Sequence, residues 1–453
     1  MTRLPDHLPI LDRRLRAPLG EAYAERELTA PVDLCDARGR LNPAAIGFSR
    51  RPLVRANLSG HWPRKKRWNF WSWIGPDCVF SVTLADIDFT SFCSFTLTDF
   101  RDGAHWSGAS YGRPGRFALS EHVEASVSCR CGGLDYANRI DGADLAVCFR
   151  GRARDGGEVV ADLAVRRPPG HESLNVVVPW TPTRFQCNSK HAALPCEGEL
   201  RAGARRYRLE PRTCFGIQDW GRGVWPYRSF WNWGVATGRA GDGLLGVNFG
   251  ARWTTGTGSN ENGILWNGRL HKLMEDLRWE YDAANWRKPW RVVAPHSGAL
   301  DLVLEPVAAH TPRLNLGVLA TGGVCAFGRW RGRVRCRIAS SQWTGCSAGP
   351  RSSRTAGEPR APLTPANAQG KPEWCGEQQR HARLGDVHEA LAASGREALH
   401  LDALLPGSWP CSASDARRAT SVDRLEHVAQ VPVGRRGLEH AECLALEALG
   451  LGE

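Results

Sequence analysis

The segment Cys78–Phe89 alternates large apolar side chains with small or polar ones at every second position. Phe80, Val82 and Leu84 fall on one side of an extended chain, and smaller residues lie between them. Because successive side chains of a strand point to opposite faces, this period of two predicts a half-buried β-strand. Similar segments elsewhere in the chain are its candidate partners in a sheet.

These further strand-like segments are separated by turn-forming clusters such as Gly238–Gly246. They are Ser91–Phe100, Ala143–Gly151, Ser173–Trp180, Trp231–Gly238, Leu244–Trp253 and Ala299–Pro306. The 49 Gly and 28 Pro residues favour short strands with many turns over long helices. The sequence therefore predicts a mainly β, antiparallel fold, either as barrels or as one large β-sandwich.

Composition divides the chain into four parts. Residues 1–50 are predicted to form an N-terminal arm with a short helix over Gly20–Leu28. Residues 51–198 and 199–336 are predicted to form two barrel-like β halves, divided in the Pro-, Gly- and Arg-containing region near Glu197–Gly203. The remainder, 337–453, has no Phe and no Tyr, so it has little material for a core and is predicted to be disordered.

The segment after Cys336 also has an explanation at the level of the DNA. When Arg337–Ala356 is back-translated with GC-rich codons and read two bases on, it can spell VVAVDGLLGWAEE. That string alternates like a strand, whereas the written frame does not. We therefore interpret 337–453 as a frameshifted tail, with a natural disordered tail as the alternative.

The net charge of +12 comes from 59 basic and 47 acidic residues, mostly scattered arginines. The densest basic run, Arg64–Arg67, is flanked by Trp62 and Trp68, a combination that can grip single-stranded nucleic acid. Arginine bias from GC-rich coding is the favoured explanation of the net charge. A solvated hairpin end explains the run, so no specific nucleic-acid partner is expected.

The 15 cysteines contain no CxxC pair, which argues against zinc-ribbon and thioredoxin-like sites. We therefore expect no metal and no cofactor. The N-terminus lacks an apolar stretch of signal-peptide length, and no run of about 18 apolar residues is present to span a membrane. The cytoplasm, with free thiols, is the expected location.

The segment Phe215–Gly238 sets charged side chains among large aromatic ones. Its charged residues are Asp219, Arg222 and Arg228. Its aromatic residues include Trp220, Trp225, Tyr227, Trp231 and Trp233. Charged groups in such surroundings need partners, and the sequence predicts a pair between Asp219 and Arg222.

A second polar segment, Asn248–Leu273, carries Trp253, Asn260, Glu261, Asn262 and His271. Gly256–Gly258 within it is not a phosphate loop, because the lysine of a P-loop is missing.

Several of these motifs together resemble a bacterial family called domain of unknown function 2804. The matching stretches include Asn57–Trp71, Arg184–Gly198, the QDWGRGVWPY motif, WTTGTGSNENG and Phe327–Gly332, in family order between about residues 31 and 336. The resemblance implies a lipocalin-like architecture and, by analogy, a likeness to hydratases that act on long apolar chains. It implies no established activity.

Three functions follow as hypotheses. The first is the binding of an apolar or lipid-like ligand in a Trp-lined barrel cavity. Its contact residues would be Trp220, Arg222, Trp225, Tyr227, Trp253, Asn260 and Asn262. The alternative that these residues are structural remains open.

The second hypothesis is a hydratase- or isomerase-like enzyme that acts on an unsaturated apolar substrate in the same cavity. Asp219, Glu261 and His271 would transfer protons, and Arg222 would hold Asp219 ionised. A structure in which Asp219 faces Glu261 or His271 would favour the enzyme. A structure in which the three side chains lie far apart would argue against it. Polyanion binding through Arg64–Arg67 is the third hypothesis.

Overall fold

A computed structural model gives the backbone of residues 2–3, 22–226, 229–240, 243–311, 313–315, 320–337, 343–348 and 378–382. Side chains are described for residues 22–226, 229–240, 243–311 and 323–336. No helix in these ranges is long and apolar enough to cross a membrane.

Strands make up most of the described chain, with one 3-10 turn at Pro43–Ala45. The first sixteen strands are β1 (Thr2–Arg3), β2 (Val32–Asp33), β3 (Gly47–Ser49), β4 (Val54–Arg55), β5 (Lys65–Ile74), β6 (Cys78–Asp86), β7 (Ser91–Asp99), β8 (His105–Gly112), β9 (Val127–Cys131), β10 (Leu134–Asp141), β11 (Asp144–Arg152), β12 (Glu158–Arg166), β13 (Leu174–Thr181), β14 (Arg184–Ala202), β15 (Arg205–Leu209) and β16 (Phe215–Val224). The others are β17 (Asn232–Ala240), β18 (Gly243–Ala251), β19 (Gly263–Trp266), β20 (Arg269–Lys272), β21 (Arg278–Tyr281), β22 (Trp290–Val293), β23 (Leu300–His310), β24 (Arg313–Asn315), β25 (Ala320–Gly322), β26 (Cys325–Arg337), β27 (Trp343–Ala348) and β28 (Gln378–Ala382).

Two large antiparallel sheets contain most of these strands. The first sheet has the order β8-β7-β6-β5-β16-β14-β12-β11-β10-β9, with β13, β15 and β3 attached at β14 and β13. The second has the order β1-β21-β22-β23-β26-β28-β17-β18-β19-β20. The predicted mainly β, antiparallel class is confirmed, as are the strands expected from the alternating segments.

The first sheet curls until its two end strands meet, so that it nearly closes as a barrel. Ser110 of β8 and Cys131 of β9 are in hydrogen-bond contact, with 3.0 Å between Oγ and Sγ. Phe80, Val82 and Leu84 all point into the core of this barrel, as their alternation predicts.

The opposite face of the same strands is also buried, which differs from the half-buried strand expected at β6. All nine residues of β6 are buried, because the second sheet packs against the outside of β5, β6 and β16. Trp68 and Phe70 of β5 belong to this inter-sheet core, together with Trp233 and Phe327 of the second sheet. The small residues between the large ones therefore lie in a closely packed interface between the two sheets and do not face water.

The predicted division at residue 198 falls inside a continuous strand. β14 runs through it, and the chain passes to the second sheet only between Val224 and Asn232. Gly198 has a backbone φ of +135°, yet it is a strand residue, at a point where β14 and β12 come close together. A Cβ on Gly198 would lie 2.2 Å from the carbonyl oxygen of Asp162 on β12.

The N-terminal arm is extended where the structure describes it, so the helix predicted over Gly20–Leu28 is absent from residues 22–28. Isolated bridges tie Ala22 to Glu275 and Glu27 to Phe48. Leu34 and further arm residues pack on the outer face of β16, where Trp220 and Val224 lie. Backbone pairing and apolar docking together hold the arm against both sheets.

Little of the predicted tail lies within the described residues. Trp343–Ala348 pairs with β26, and Gln378–Ala382 pairs with both β17 and β26, where the sequence predicted disorder. The rest of 337–453, with the predicted disorder and frame change, lies outside the described residues.

Two histidines meet where the sheets adjoin, His105 on β8 and His310 on β23, with 4.0 Å between ring centroids. Burial, followed by the charge of His310, lowers the pKa of His105 to about 4. Burial also lowers the pKa of His310. Both rings are therefore neutral at pH 7, and protonating them would place two like charges in contact.

We predict that stability falls on acidification. The folded pKa of His105 lies below its unfolded value, so the unfolded chain binds the extra proton, and stability present at pH 7 is lost as pH falls through about 6.5 towards 4. The loss at pH 5.5 from His105 alone is about 1 kcal/mol. Urea unfolding of His105→Gln should show a weaker pH dependence, whereas the exposed control His122→Gln should not. Equal pH dependence in all three proteins would contradict the assignment.

Candidate functional site

A buried lysine connects the two sheets. Lys190 of β14 and Asp219 of β16 are direct neighbours in the first sheet, and their side chains face the second. Lys190 Nζ lies 2.7 Å from Asp219 Oδ2 and 2.9 Å from Glu261 Oε2. Glu261 comes from the loop between β18 and β19 of the second sheet. We call these three residues the lysine bridge.

The lysine bridge holds two carboxylates against one ammonium. Burial raises the pKa of Glu261, with the charge of Lys190 acting against it. Burial opposes the charged form of Lys190, but Asp219 and Glu261 together raise its pKa. Asp219 Oδ1 is buried and has no hydrogen-bond partner among the described residues. The bridge therefore presents one carboxylate oxygen that can accept a proton or a hydrogen bond.

Neighbouring side chains fix the position of Glu261. The Trp253 indole donates to Glu261 Oε1 at 2.7 Å, and Asn248 donates to its carbonyl oxygen at 2.6 Å. A Cβ on Gly250 would lie 2.2 Å from Glu261 Oε1, so only glycine fits there. Lys190 Nζ also lies 5.0 Å from the centre of the Trp233 ring. The carboxylate is therefore held rigidly for its contact with the ammonium.

Tryptophans pack against one another beside the lysine bridge. Trp225 contacts Trp68, Trp180, Trp231 and Trp253, with ring centroids 5.2–6.2 Å apart. These are contact distances for aromatic rings, so the described indoles pack directly against one another.

Two glycines of β16 make room for this tryptophan cluster. A Cβ on Gly221 would lie 2.0 Å from the Trp68 ring. One on Gly223 would lie 2.2 Å from the side-chain oxygen of Gln186, which accepts a hydrogen bond from the Trp225 indole. The QDWGRG motif thus alternates small residues on this face with large ones on the other.

The predicted pair between Asp219 and Arg222 is wrong. Residues three apart on a strand point to opposite faces, and Arg222 lies with Trp220 on the face covered by the N-terminal arm. Its guanidinium donates to the carbonyl oxygens of Trp68 and Ser120 and to Asn69. Lys190, not Arg222, holds Asp219.

Asn260 and Asn262 have structural hydrogen bonds. Both side-chain amides donate to the carbonyl oxygen of Glu275, at 3.1 and 3.0 Å. Asn260 also accepts from Lys272, whose ammonium forms a buried ion pair with Glu25 of the arm. These contacts fasten the arm to the second sheet.

His271 lies away from the lysine bridge, so the three predicted proton-transfer residues do not form one group. Instead, His271 borders a cavity of about 590 Å³ between the arm and the second sheet, which we call the arm cavity. Its lining is Ala22, Tyr23, Glu27, Phe48, Arg50, Leu270, His271, Lys272, Leu273, Met274, Glu275, His296, Ser297, Ala299, Arg335 and Cys336. No tryptophan lines it. Tyr227 and Arg228 lie outside the described residues.

Two other predictions concern metals and polyanions. Within the described chain, no three His, Cys, Asp or Glu side chains converge as a metal site would require. The basic run Arg64–Arg67 is not a solvated hairpin end: Arg64 and Lys66 are buried, while Lys65 and Arg67 approach Asp88 at 3.1 and 3.9 Å. It offers no open basic surface for nucleic acid.

Sequence reasoning missed the buried lysines. The chain has six lysines among its 59 basic residues, and three of them, Lys66, Lys190 and Lys272, are buried. Because the chain is so biased towards arginine, the rare lysines were the sequence signal that could have pointed to these buried positions. A compact ammonium fits where the wider guanidinium fork does not.

The fold and the site define a mainly β protein with a buried lysine bridge between two antiparallel sheets. The family described as "Domain of unknown function (DUF2804)" matches residues 25–341, and the chain belongs to this family. No curated protein matches the sequence significantly.

Two solved structures are similar at low identity. The crystal structure of CghA with Sch210972 is 12% identical, with a TM-score of 0.42, over 72% of this chain and 89% of that chain. The crystal structure of kievitone hydratase from Nectria haematococca is 10% identical, with a TM-score of 0.41, over 71% and 90%.

We predict that Lys190→Met lowers the free energy of unfolding by about 3–5 kcal/mol at pH 7, because it leaves two buried carboxylates without their cation. Urea unfolding measures the change. The matched control is Lys288→Met, which removes an exposed ion pair with Asp282 and should cost less than about 1 kcal/mol. Equal losses in the two variants would refute the bridging role.

Proposed function

We propose that the protein binds a small molecule with an apolar body and one acidic group in the arm cavity. The cavity volume supports this, because about 590 Å³ lies within the range of small-molecule sites. Phe48, Leu270, Leu273 and Met274 supply an apolar wall. The sequence suggested a lipid-like ligand in a Trp-lined barrel cavity. The ligand proposed here is an amphipathic molecule of that kind, bound in the arm cavity instead.

The charges around the arm cavity favour an anionic head group. Arg50 is already paired with Glu27 at 2.8 Å, and Glu275 accepts from the backbone of His296 and Ser297. Arg335 is exposed on the rim and has no ion-pair partner among the described side chains. This available guanidinium is the observation that carries the proposal, because it can bind a carboxylate through two parallel hydrogen bonds.

His271 adds a neutral polar group to the wall. Burial, and then the charge of Arg50, lower its pKa, so the imidazole is uncharged at pH 7. It can hydrogen-bond a ligand without repelling or attracting its charge.

Isothermal titration calorimetry with decanoate and with 1-decanol tests the proposal. We predict that the wild type binds decanoate more tightly than decanol. Arg335→Ala should weaken decanoate binding about tenfold, the loss expected for one charge-assisted contact, and leave decanol binding unchanged.

The matched control is Arg333→Ala, which removes the same charge two residues earlier on β26, outside the cavity lining. It should leave decanoate binding unchanged. An equal effect of both variants would indicate general charge attraction, and no preference for decanoate would overturn the proposal.

An acid–base enzyme at the lysine bridge is the second candidate. The observation in its favour is the buried, unpartnered Asp219 Oδ1 beside Glu261, whose pKa is raised by burial. One of the two carboxyl groups could deliver a proton to an unsaturated substrate, and the ammonium of Lys190 would offset the negative charge left behind.

Proton NMR in D₂O tests this second candidate with small α,β-unsaturated ketones as probes. We predict deuterium incorporation at carbon by the wild type and a loss of at least about 100-fold in Asp219→Asn. His271→Gln should retain the activity. Exchange that is absent from the wild type, or unaffected by Asp219→Asn, would exclude the enzyme at this site.

A further inference from the structure

Lys66 differs from the other buried lysines in its surroundings. It lies near the start of β5 and is 9% exposed, and its ammonium is 4.7 Å from the centre of the Trp225 ring. Among the described residues, no oxygen accepts a hydrogen bond from it. Lys190 by contrast meets two carboxylates, and Lys272 meets Glu25.

The charges near Lys66 do not stabilise its ammonium form. Arg64 is a second cation close by and donates to the carbonyl oxygen of Trp225 at 2.8 Å. Asp88, at the same end of the sheet, forms its contact with Lys65, at 3.1 Å. Burial, reinforced by the charge of Arg64, lowers the pKa of Lys66 to about 7. Cation–π contact with Trp225 only partly opposes this change.

One flat apolar surface, the ring of Trp225, lies against the amine, and other indoles pack on that ring. Trp68, on the same face of β5, packs edge-on against Trp225 at 6.2 Å, and Trp180 and Trp231 enclose Trp225 further. Opposite Lys66 in the sheet stands Gly223, which has no side chain. A lysine that is desolvated among apolar groups and next to another cation has the setting of an activated amine.

We propose that Lys66 is an amine nucleophile that forms a reversible imine with an aldehyde or ketone bearing a flat apolar group. The nitrogen lone pair attacks the carbonyl carbon, a C–N bond forms, and a proton moves from nitrogen to oxygen. Departure of the resulting hydroxyl with the second N–H proton, as water, leaves a C=N bond, and addition of water reverses both steps. The sequence of steps needs no oxidant or reductant. The proposal is independent of the arm cavity and of the lysine bridge.

Reductive labelling of the full chain tests the proposal. The protein is incubated at pH 7 with benzaldehyde and sodium cyanoborohydride, which converts any imine to a stable secondary amine, and the labelled lysines are located by peptide mass spectrometry. We expect Lys66 to react at least ~10-fold faster than Lys288, because an ordinary surface lysine is almost wholly protonated at this pH.

Two controls separate the folded site from the local sequence. In denaturing urea the ratio of the two rates should fall to about one, because both amines are then solvated. Lys66→Met should lose its label, keep the Lys288 label and remain folded by circular dichroism. A folded wild type in which Lys66 stays unlabelled, reacts no faster than Lys288, or keeps its advantage in urea would overturn the proposal.

Discussion

The contact of one buried ammonium with carboxylates from two sheets is the interaction on which this architecture depends. Lys190 and Asp219 are neighbours in the first sheet, and Glu261 belongs to the second. Removing three charges from water is costly, so the arrangement persists only because each group is held in place. The Trp253 indole and the absence of a side chain at Gly250 do this for Glu261. The same contacts position the tryptophan cluster beside the bridge.

Local alternation was enough to predict the strands but not what covers them. Phe80, Val82 and Leu84 point into the barrel core, as their period of two requires. The same pattern predicted water on the other face of β6, where the second sheet packs instead. Strand formation depends on neighbours in the sequence, whereas the packing of one sheet on another depends on the whole chain. Gly198 is a second example. The sequence around it predicted a boundary, but this glycine lies within β14, where the strand comes too close to β12 for a side chain.

For the candidate site, the sequence located two members and misassigned their partner. Asp219 and Glu261 do meet, but through Lys190 rather than Arg222. The spacing of three between Asp219 and Arg222 already excluded their pairing on a strand, so that error was avoidable. The contact of Lys190 with Glu261 joins distant segments and could not be derived from spacing. His271 was singled out for its chemistry, and only the fold places it at the arm cavity.

Lys190 couples the two sheets through its contact with Glu261. A double-mutant cycle of Lys190→Met and Glu261→Gln, followed by urea unfolding at pH 7, measures that coupling directly. If the bridge exists, the double variant should be more stable than the sum of the single losses implies, by about 1–3 kcal/mol, because the second change removes the charge that the first left unpaired. Additive losses, within about 0.5 kcal/mol, would contradict the claim.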